Sequence, residues 1–343
     1  MDADLERSKI LKPPADVPVI QRGNWLDLPD DDPVVNYLIS ELWDAEPRPT
    51  SWQVARLSQA AYLYREQATG WTVVGKFYVV KGGDDAMRHA RRELTCIREA
   101  QAAGLERGAT RTIRPLGLWR GILFLEYVDG LTLDDVIAVR HSRPGAMSNS
   151  IEGAACFLAT LHACGVQAQA TADFEPALAY ARKVVRQLAK HGVLYAQPLV
   201  REGLTRLIDG WADRAEMVDF TPTLIHGDAT TTNFVFAGDD VVVIDWERLE
   251  TADPAADLGR LMAEVTHSVS QHGGTINEAL PFVRRLTDTY QDALPAEWDA
   301  DAVVRRARFY RASSTLRIAR NGWISRLDRT ALVAQGMALL ADI

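Results

Sequence analysis

The stretch from Leu224 to Leu258 constrains this chain more than any other. It reads Leu-Ile-His-Gly-Asp-Ala-Thr-Thr-Thr-Asn-Phe-Val-Phe, then a Gly-Asp-Asp turn, then Val-Val-Val-Ile-Asp-Trp-Glu, then Asp-Pro-Ala-Ala-Asp-Leu. A short apolar run, Leu224 and Ile225, delivers His226-Gly227-Asp228 onto a loop, and Phe234-Val235-Phe236 resumes a strand. Gly238-Asp239-Asp240 between two β-rich runs is a hairpin signal. The second run, Val241 to Ile244, ends on Asp245. The hairpin therefore brings the Asn233 carboxamide and the Asp245 carboxylate into one small volume. Such oxygen ligands suit Mg²⁺, which takes one or two protein ligands together with phosphates and water. Asp228, not required as a ligand, is left to take a proton.

That division of labour is the one found in kinase-type phosphoryl transfer. His226-x-Asp228-x-x-x-x-Asn233 has the spacing of the protein-kinase catalytic loop, and Asp245-Trp246-Glu247 stands where those enzymes carry Asp-Phe-Gly. Taken together, His-Gly-Asp, the Asn, Ile-Asp-Trp-Glu and Asp-Pro-x-x-Asp-Leu resemble the aminoglycoside phosphotransferase and choline kinase family, the small-molecule branch of the kinase-like fold. The resemblance implies an α+β, bilobal architecture: an antiparallel sheet with one main helix in the N-lobe, and a mostly helical C-lobe. It implies three segments, an extension over 1–50, an N-lobe over 51–128 and a C-lobe over 129–343. It further implies ATP and Mg²⁺, with Asp228 as base and Asn233 and Asp245 as metal ligands.

Composition agrees with a large soluble chain. With 343 residues, 47% of them hydrophobic and 24% charged, a sizeable core divided into two parts is expected. The net charge of −8 disfavours a nucleic-acid partner. Cys96, Cys156 and Cys164 show no metal-binding spacing, and three thiols in so long a chain point to a reducing compartment. The N-terminus lacks an apolar signal core, and no run of eighteen apolar residues occurs, so a cytoplasmic protein without membrane contact is expected.

Asp32 and Pro33 predict a helix from Pro33 to Trp43, capped by the carboxylate, with a mobile tail before about residue 20. Trp52–Leu57, Tyr62–Gln67 and Trp71–Val80 read as antiparallel strands, the second turned into the third at Thr69-Gly70. By position, Ser58 in the first turn would meet nucleotide phosphates, although a hairpin serine serves equally well as a turn residue. Lys76 lies inside the third strand. Alternation alone would point it to solvent, whereas the resemblance puts it on the phosphates, oriented by a Glu from the helix that runs from about Asp85 to Ala103. Glu93 is the preferred partner, because Glu99 falls on another face of that helix.

Thr112–Arg120 and Gly121–Val128 read as a strand pair, and Leu125 to Gly130 resembles the kinase hinge. There the Glu126 carbonyl and the Val128 N–H would pair with adenine. Helices follow over 131–139, 148–164, 175–191 and 197–217, with at least three more after Val265. His162 reads as a buried, hydrogen-bonded histidine. In the family, the Asp at the position of Asp257 supports the catalytic loop. Arg305, Arg306, Arg308, Arg311, Arg317 and Arg320 read as a mostly solvated face, with Arg308 or Arg311 as candidates to meet an anionic group on the acceptor.

The substrate class follows from what the chain lacks. Only seven residues separate Asp245 from Asp253 and no Ala-Pro-Glu follows, so there is no platform for a peptide. A small hydroxylated acceptor is expected: an aminoglycoside, a sugar, an amino alcohol or a related metabolite. Acidic net charge favours a cationic acceptor, and the arginine-rich helix favours the reverse. The competing reading is a pseudokinase that binds without transfer. Lys76, Asp228, Asn233 and Asp245 occurring together argue against it.

Overall fold

The computed structural model describes residues 25–44, 46, 48–78, 85–166, 169–195 and 197–341. In chain order come β1 (Leu26–Asp27), α1 (Pro33–Tyr37), β2 (Trp52–Arg56), β3 (Ala61–Glu66), β4 (Thr72–Phe77) and α2 (Asp85–Ala100). β5 (Thr110–Thr112), β6 (Pro115–Trp119), β7 (Ile122–Glu126) and β8 (Leu131–Thr132) follow. Then come α3 (Leu133–Ala138), α4 (Pro144–Cys164), α5 (Glu175–His191) and α6 (Pro198–Asp209). β9 (Thr223–Ile225), β10 (Phe234–Ala237), β11 (Asp240–Val243) and β12 (Glu250–Ala252) precede the last helices, α7 (Ala255–Gln271), α8 (Ile276–Ala293), α9 (Ala300–Ala319) and α10 (Arg326–Ala341). The chain is thus α+β, and it divides into two compact units, residues 25–101 with 112–129 and residues 102–111 with 130–341.

The first unit is a six-stranded antiparallel sheet in the order β1-β2-β3-β4-β7-β6. Its core is aromatic because alternate residues of β3, β4 and β7 face one way: Tyr62, Tyr64, Val73, Phe77, Ile122 and Phe124 pack together with Trp52. The segment before the sheet completes that core. Asp32 accepts from the backbone N–H groups of Val34 and Val35 at 2.8 and 3.1 Å, and Pro33 fills the first helical position. α1 then buries Val34 and Val35, and Leu38 follows in a wider π turn over Leu38–Leu42. Each such side chain contributes about 1.5–3 kcal/mol by leaving water. Tyr37 stacks on Trp119 and Phe124, centroids 4.9 and 5.1 Å away.

Two expectations change here. The predicted strand 112–120 is two strands, since Pro115 has no N–H to continue a ladder; β5 joins β11 in another sheet, and β6 pairs with β7 through a register shift at Pro115/Gly117. The expected end of the third strand, Val79 and Val80, and the tail before residue 20 lie outside the described residues.

The second unit is mostly helical. Two small sheets, β5-β11-β10-β8 and β12-β9, carry the motif loops. α7 packs along α9, and Gly259 permits the close approach, since a side chain there would meet the Ala307 carbonyl and Tyr310. The core between the later helices gathers Phe174, Leu188, Trp211, Phe309, Leu316 and Val333. The Thr132 capping box starts α3 two residues later than expected, freeing Leu131–Thr132 to pair with Phe236 and Val235. Pro144 at the first turn starts α4 earlier than expected, and the predicted helix 197–217 is α6 followed by a short 3-10 turn over Ala215–Met217.

Candidate active site

The loop after β9 is built by hydrogen bonds that its sequence supplies in order. β12 pairs with β9, Glu250 opposite Ile225, so the chain leaves the ladder at His226. Gly227 has φ of 73°, and a side chain there would run into the Arg248 carbonyl, which is why this position takes Gly. Asp257, in the first turn of α7, turns its carboxylate back to this loop. It accepts from His226 N–H at 2.6 Å and from Gly227 N–H at 2.9 Å. His162 Nε2 lies 3.4 Å from the same carboxylate, and His162 Nδ1 lies 2.7 Å from the Tyr290 hydroxyl. Burial pushes the Asp257 pKa up, but the His162 and His226 interactions outweigh it and hold the carboxyl below its ordinary value. Burial keeps the Tyr290 pKa well above its ordinary range, so its hydroxyl is there to donate.

His226 ties this loop to the next one. The Ile244 carbonyl can only accept, and it lies 2.9 Å from His226 Nε2, so that nitrogen carries the proton. Nδ1 is left to accept from Asp228 N–H at 3.2 Å. The ring also lies 4.7 Å from the indole of Trp246, which is fully buried and donates to the Val243 carbonyl at 2.8 Å. One imidazole therefore fixes both the residue before Asp245 and Asp228 itself.

The loop closes on Asn233. Thr230 N–H and Asn233 Nδ2 both donate to the Asp228 carbonyl, at 2.7 and 2.9 Å. With its nitrogen committed, the Asn233 amide oxygen, 3.4 Å from the Thr232 hydroxyl, is the side-chain atom able to meet a cation. β10 and β11 form the expected hairpin, Gly238 turning it with φ of 62°. Ile244 N–H donates to the Asn233 carbonyl at 3.0 Å, which places Asn233 one residue from the partner of Asp245. Asp245 has φ 64° and ψ 56°, a left-handed conformation uncommon for a residue with a side chain. The strain is held by the ladder on one side and the buried Trp246 on the other.

Asp228 is partly exposed and flanked by two guanidinium groups. Arg260 Nη1 donates to Asp228 Oδ1, and Arg248 Nε lies 3.7 Å from Oδ2. Behind Arg260, one turn along α7, Glu264 is paired with Arg317 of α9. Burial raises the Glu264 pKa against the pull of Arg317 and Arg260. Sequence reasoning did not find Arg248, Arg260 or Glu264. The only available signal was the helical period, which sets Arg260 and Glu264 on one face of α7.

The arginine-rich helix also departs from expectation. Arg306 is buried and makes a two-pronged pair with Asp253, Nε and Nη2 at 2.9 and 3.1 Å from its oxygens, while Asp253 caps α7 through Ala255 N–H at 3.0 Å. Arg311 lies against Thr266 at 3.4 Å, and burial lowers its pKa. Arg317 and Arg320 are engaged by Glu264 and Gln187, and Arg308 is exposed. Packing against α7 and α5 draws Arg306, Arg311, Arg317 and Arg320 inward, while Arg305 and Arg308 stay on the solvated face as expected.

In the first unit, Lys76 and Val74 occupy the face of β4 opposite the aromatic core. Lys76 Nζ reaches Glu93 Oε2 of α2 at 2.7 Å, and the Tyr78 hydroxyl donates to the same oxygen. Glu93 is fully buried, whereas Glu99 is exposed. Ser58 sits in the β2–β3 turn, its Oγ accepting from Ala60 and Ala61 N–H at 3.3 and 3.1 Å. Glu126 ends β7, with its carboxylate accepting from Arg114 N–H at 2.8 Å, and Val128 follows half-buried.

Residues 58–311 match the model of the phosphotransferase enzyme family. A search of curated proteins finds no match. Among solved structures, the chain is similar to the streptomycin–ATP–APH(2″)-IIa ternary complex, at 14% identity and TM-score 0.56, covering 92% of this chain and 97% of that one. It is similar to a choline/ethanolamine kinase family protein from Mesorhizobium loti, at 16% identity and TM-score 0.57, covering 90% and 93%. A putative fructosamine-3-kinase from Thermobifida fusca aligns at 20% identity and TM-score 0.55, covering 85% and 94%. At these identities the likeness establishes the kinase-like α+β fold. No helix of the described residues is long and apolar enough to cross a membrane.

Proposed function

Because this chain belongs to the phosphotransferase enzyme family, we propose that it transfers the γ-phosphate of ATP to a hydroxyl of a small molecule. Asp228 is the base that orients the hydroxyl and takes its proton. The observation that carries this reading is the shared imidazole: His226 bonds both Asp228 N–H and the Ile244 carbonyl, so base and metal-ligand loop form one rigid unit. Asn233 and Asp245 would hold Mg²⁺ through the amide oxygen and the carboxylate. The donor set fits, since both are hard oxygens and Asn233 Nδ2 is already committed to the Asp228 carbonyl. When bound, the ion neutralises phosphate charge. Lys76, steadied by Glu93, would hold the α- and β-phosphates, with Ser58 at the phosphates and Glu126 and Val128 at the adenine. The Ser58 oxygen is occupied by its own turn, so its contribution is its O–H.

Rate enhancement comes chiefly from positioning and electrostatics, as expected where the protein forms no covalent bond to the phosphoryl group. The connection from Asp245 to Asp253 leaves no activation segment, so no activating phosphorylation is needed. The test is purified protein, made with no other kinase present, given Mg-ATP and panels of sugars, hydroxy acids, amino alcohols, aminoglycosides and peptides. ADP release that depends on a small acceptor is expected. Transfer to Ser, Thr or Tyr peptides with none to small molecules would overturn the substrate class.

A further inference from the structure

The surroundings of Asp228 say what kind of small molecule belongs there. Three guanidinium groups, Arg248, Arg260 and Arg317, gather around two carboxylates, Asp228 and Glu264. Glu264 is committed to Arg317, and Arg317 Nε is itself buried without a hydrogen-bond partner among the described residues. Around Asp228 itself the facing charges are the guanidiniums of Arg248 and Arg260. When Asp228 takes a proton, both lose the carboxylate charge that they face.

Arg248 is the member of the cluster with reach to spare. Its side chain is 53% exposed, and its Nε stands 3.7 Å from Asp228 Oδ2, too long for a hydrogen bond. Its backbone, by contrast, is fixed: the Arg248 carbonyl packs on Gly227, and Arg248 ends a 3-10 turn anchored by buried Trp246. Arg260 holds Oδ1, so a hydroxyl has Oδ2 to address, and the group next to that hydroxyl meets Arg248. An ammonium placed beside that guanidinium is repelled by it. A carboxylate or phosphate there gains a charge-assisted, two-pronged partner instead.

Resting on the phosphotransferase reading above, we propose that the acceptor carries a carboxylate or phosphate close to its reacting hydroxyl, and that Arg248, backed by Arg260, recognises it. The acceptor is then an anionic hydroxylated metabolite rather than an amino alcohol or aminoglycoside.

The test uses the full chain with Mg-ATP and matched acceptors: gluconate, glucose 6-phosphate, glucose and glucosamine, and glycerate, glycerol 3-phosphate, glycerol and ethanolamine. In at least one series the acid or the phosphate ester should exceed the neutral member in kcat/KM by about tenfold, with the amine lowest; comparing acid with ester separates the two sources of charge. Arg248→Gln should cut the anion-to-neutral ratio by about the same factor, through KM, and Arg248→Lys should recover part of it. The ratio is internal to each variant, so a general loss of activity does not mimic the effect. Preference for the amine, equal use of all members, an Arg248→Gln effect uniform across the series, or transfer to neutral or amine members with none to any anion would each overturn the proposal while leaving the phosphotransferase reading intact; Mg-ATP binding with transfer to no member would overturn both. Failure to bind Mg-ATP in calorimetry would instead overturn that reading, and the proposal with it.

Discussion

Asp228 and Asp257 both serve the loop after β9, and the protein treats the two carboxylates in opposite ways. Asp257 is buried and accepts from two backbone N–H groups, with a histidine behind it and a tyrosine behind that. Asp228 is a quarter exposed, and among the described residues its carboxylate meets guanidinium groups on long side chains. The backbone amides around Asp257 cannot move without moving the chain, so they fix geometry. Arg248, half exposed and 3.7 Å from Asp228 Oδ2, can yield that carboxylate oxygen to an incoming hydroxyl at modest cost, because exposed ion pairs are worth about 0–1 kcal/mol. One region supplies position and the other supplies chemistry, and the loop between them transmits the first to the second.

The sharpest way to break the comparison is to neutralise each aspartate in turn. Asp228→Asn should lower turnover about 10²–10⁴-fold, the usual worth of a general base, with Mg-ATP affinity and melting temperature nearly unchanged. Near-normal turnover in a steady-state assay would remove Asp228 from the role of base. Asp257→Asn should do the reverse. At least one buried N–H loses a charged acceptor, at a cost of about 1.5–3 kcal/mol, read as a lower urea midpoint. Its turnover should also fall, since His226 and Gly227 lose the group that positions Asp228. Full stability in that variant would mean that the N–H groups find another acceptor.

Much of this contrast was legible in the sequence. The spacing from His226 to Asn233 and from Val241 to Asp245 follows from strand and hairpin chemistry, and the structure folds those residues accordingly. Lys76 with Glu93, buried His162 and the supporting Asp257 were legible through the resemblance to the family: strand alternation alone pointed Lys76 to solvent, and helical period decided only between Glu93 and Glu99. What surrounds Asp228 was not. Arg248 and Arg260 are spaced from Asp228 by a turn, a strand and a helix start, and no local pattern records which of many arginines those elements bring together. Arg306 misled for the same reason: its stripe of charge looks solvated until Asp253 is known to meet it.

A smaller intervention sharpens the positional half. Tyr290→Phe deletes the hydroxyl that His162 Nδ1 needs while keeping the ring in the core. The expected cost is about 0.5–1.5 kcal/mol, the net worth of one hydrogen bond. Turnover should change little, since the two backbone bonds to Asp257 survive. A turnover loss as large as that of Asp257→Asn would show that the relay through His162, rather than the direct bonds, sets the loop.

The smallest effect concerns acid. Asp257 is held below its ordinary carboxyl pKa of 3.8, because the His162 and His226 interactions outweigh burial. Between that value and its own, the unfolded chain binds a proton that the folded chain does not, so stability rises with pH across this window. The contribution of Asp257 is therefore complete above about pH 4 and is lost as pH falls through the folded value. The Asn variant has no such proton to bind. Urea titrations from pH 7 downward should find a constant stability gap between the two proteins to about pH 4, then a narrowing one. A gap that begins to narrow well above pH 4 would mean that burial wins, that Asp257 is protonated more easily folded than unfolded, and that its N–H donors do not hold it as an anion.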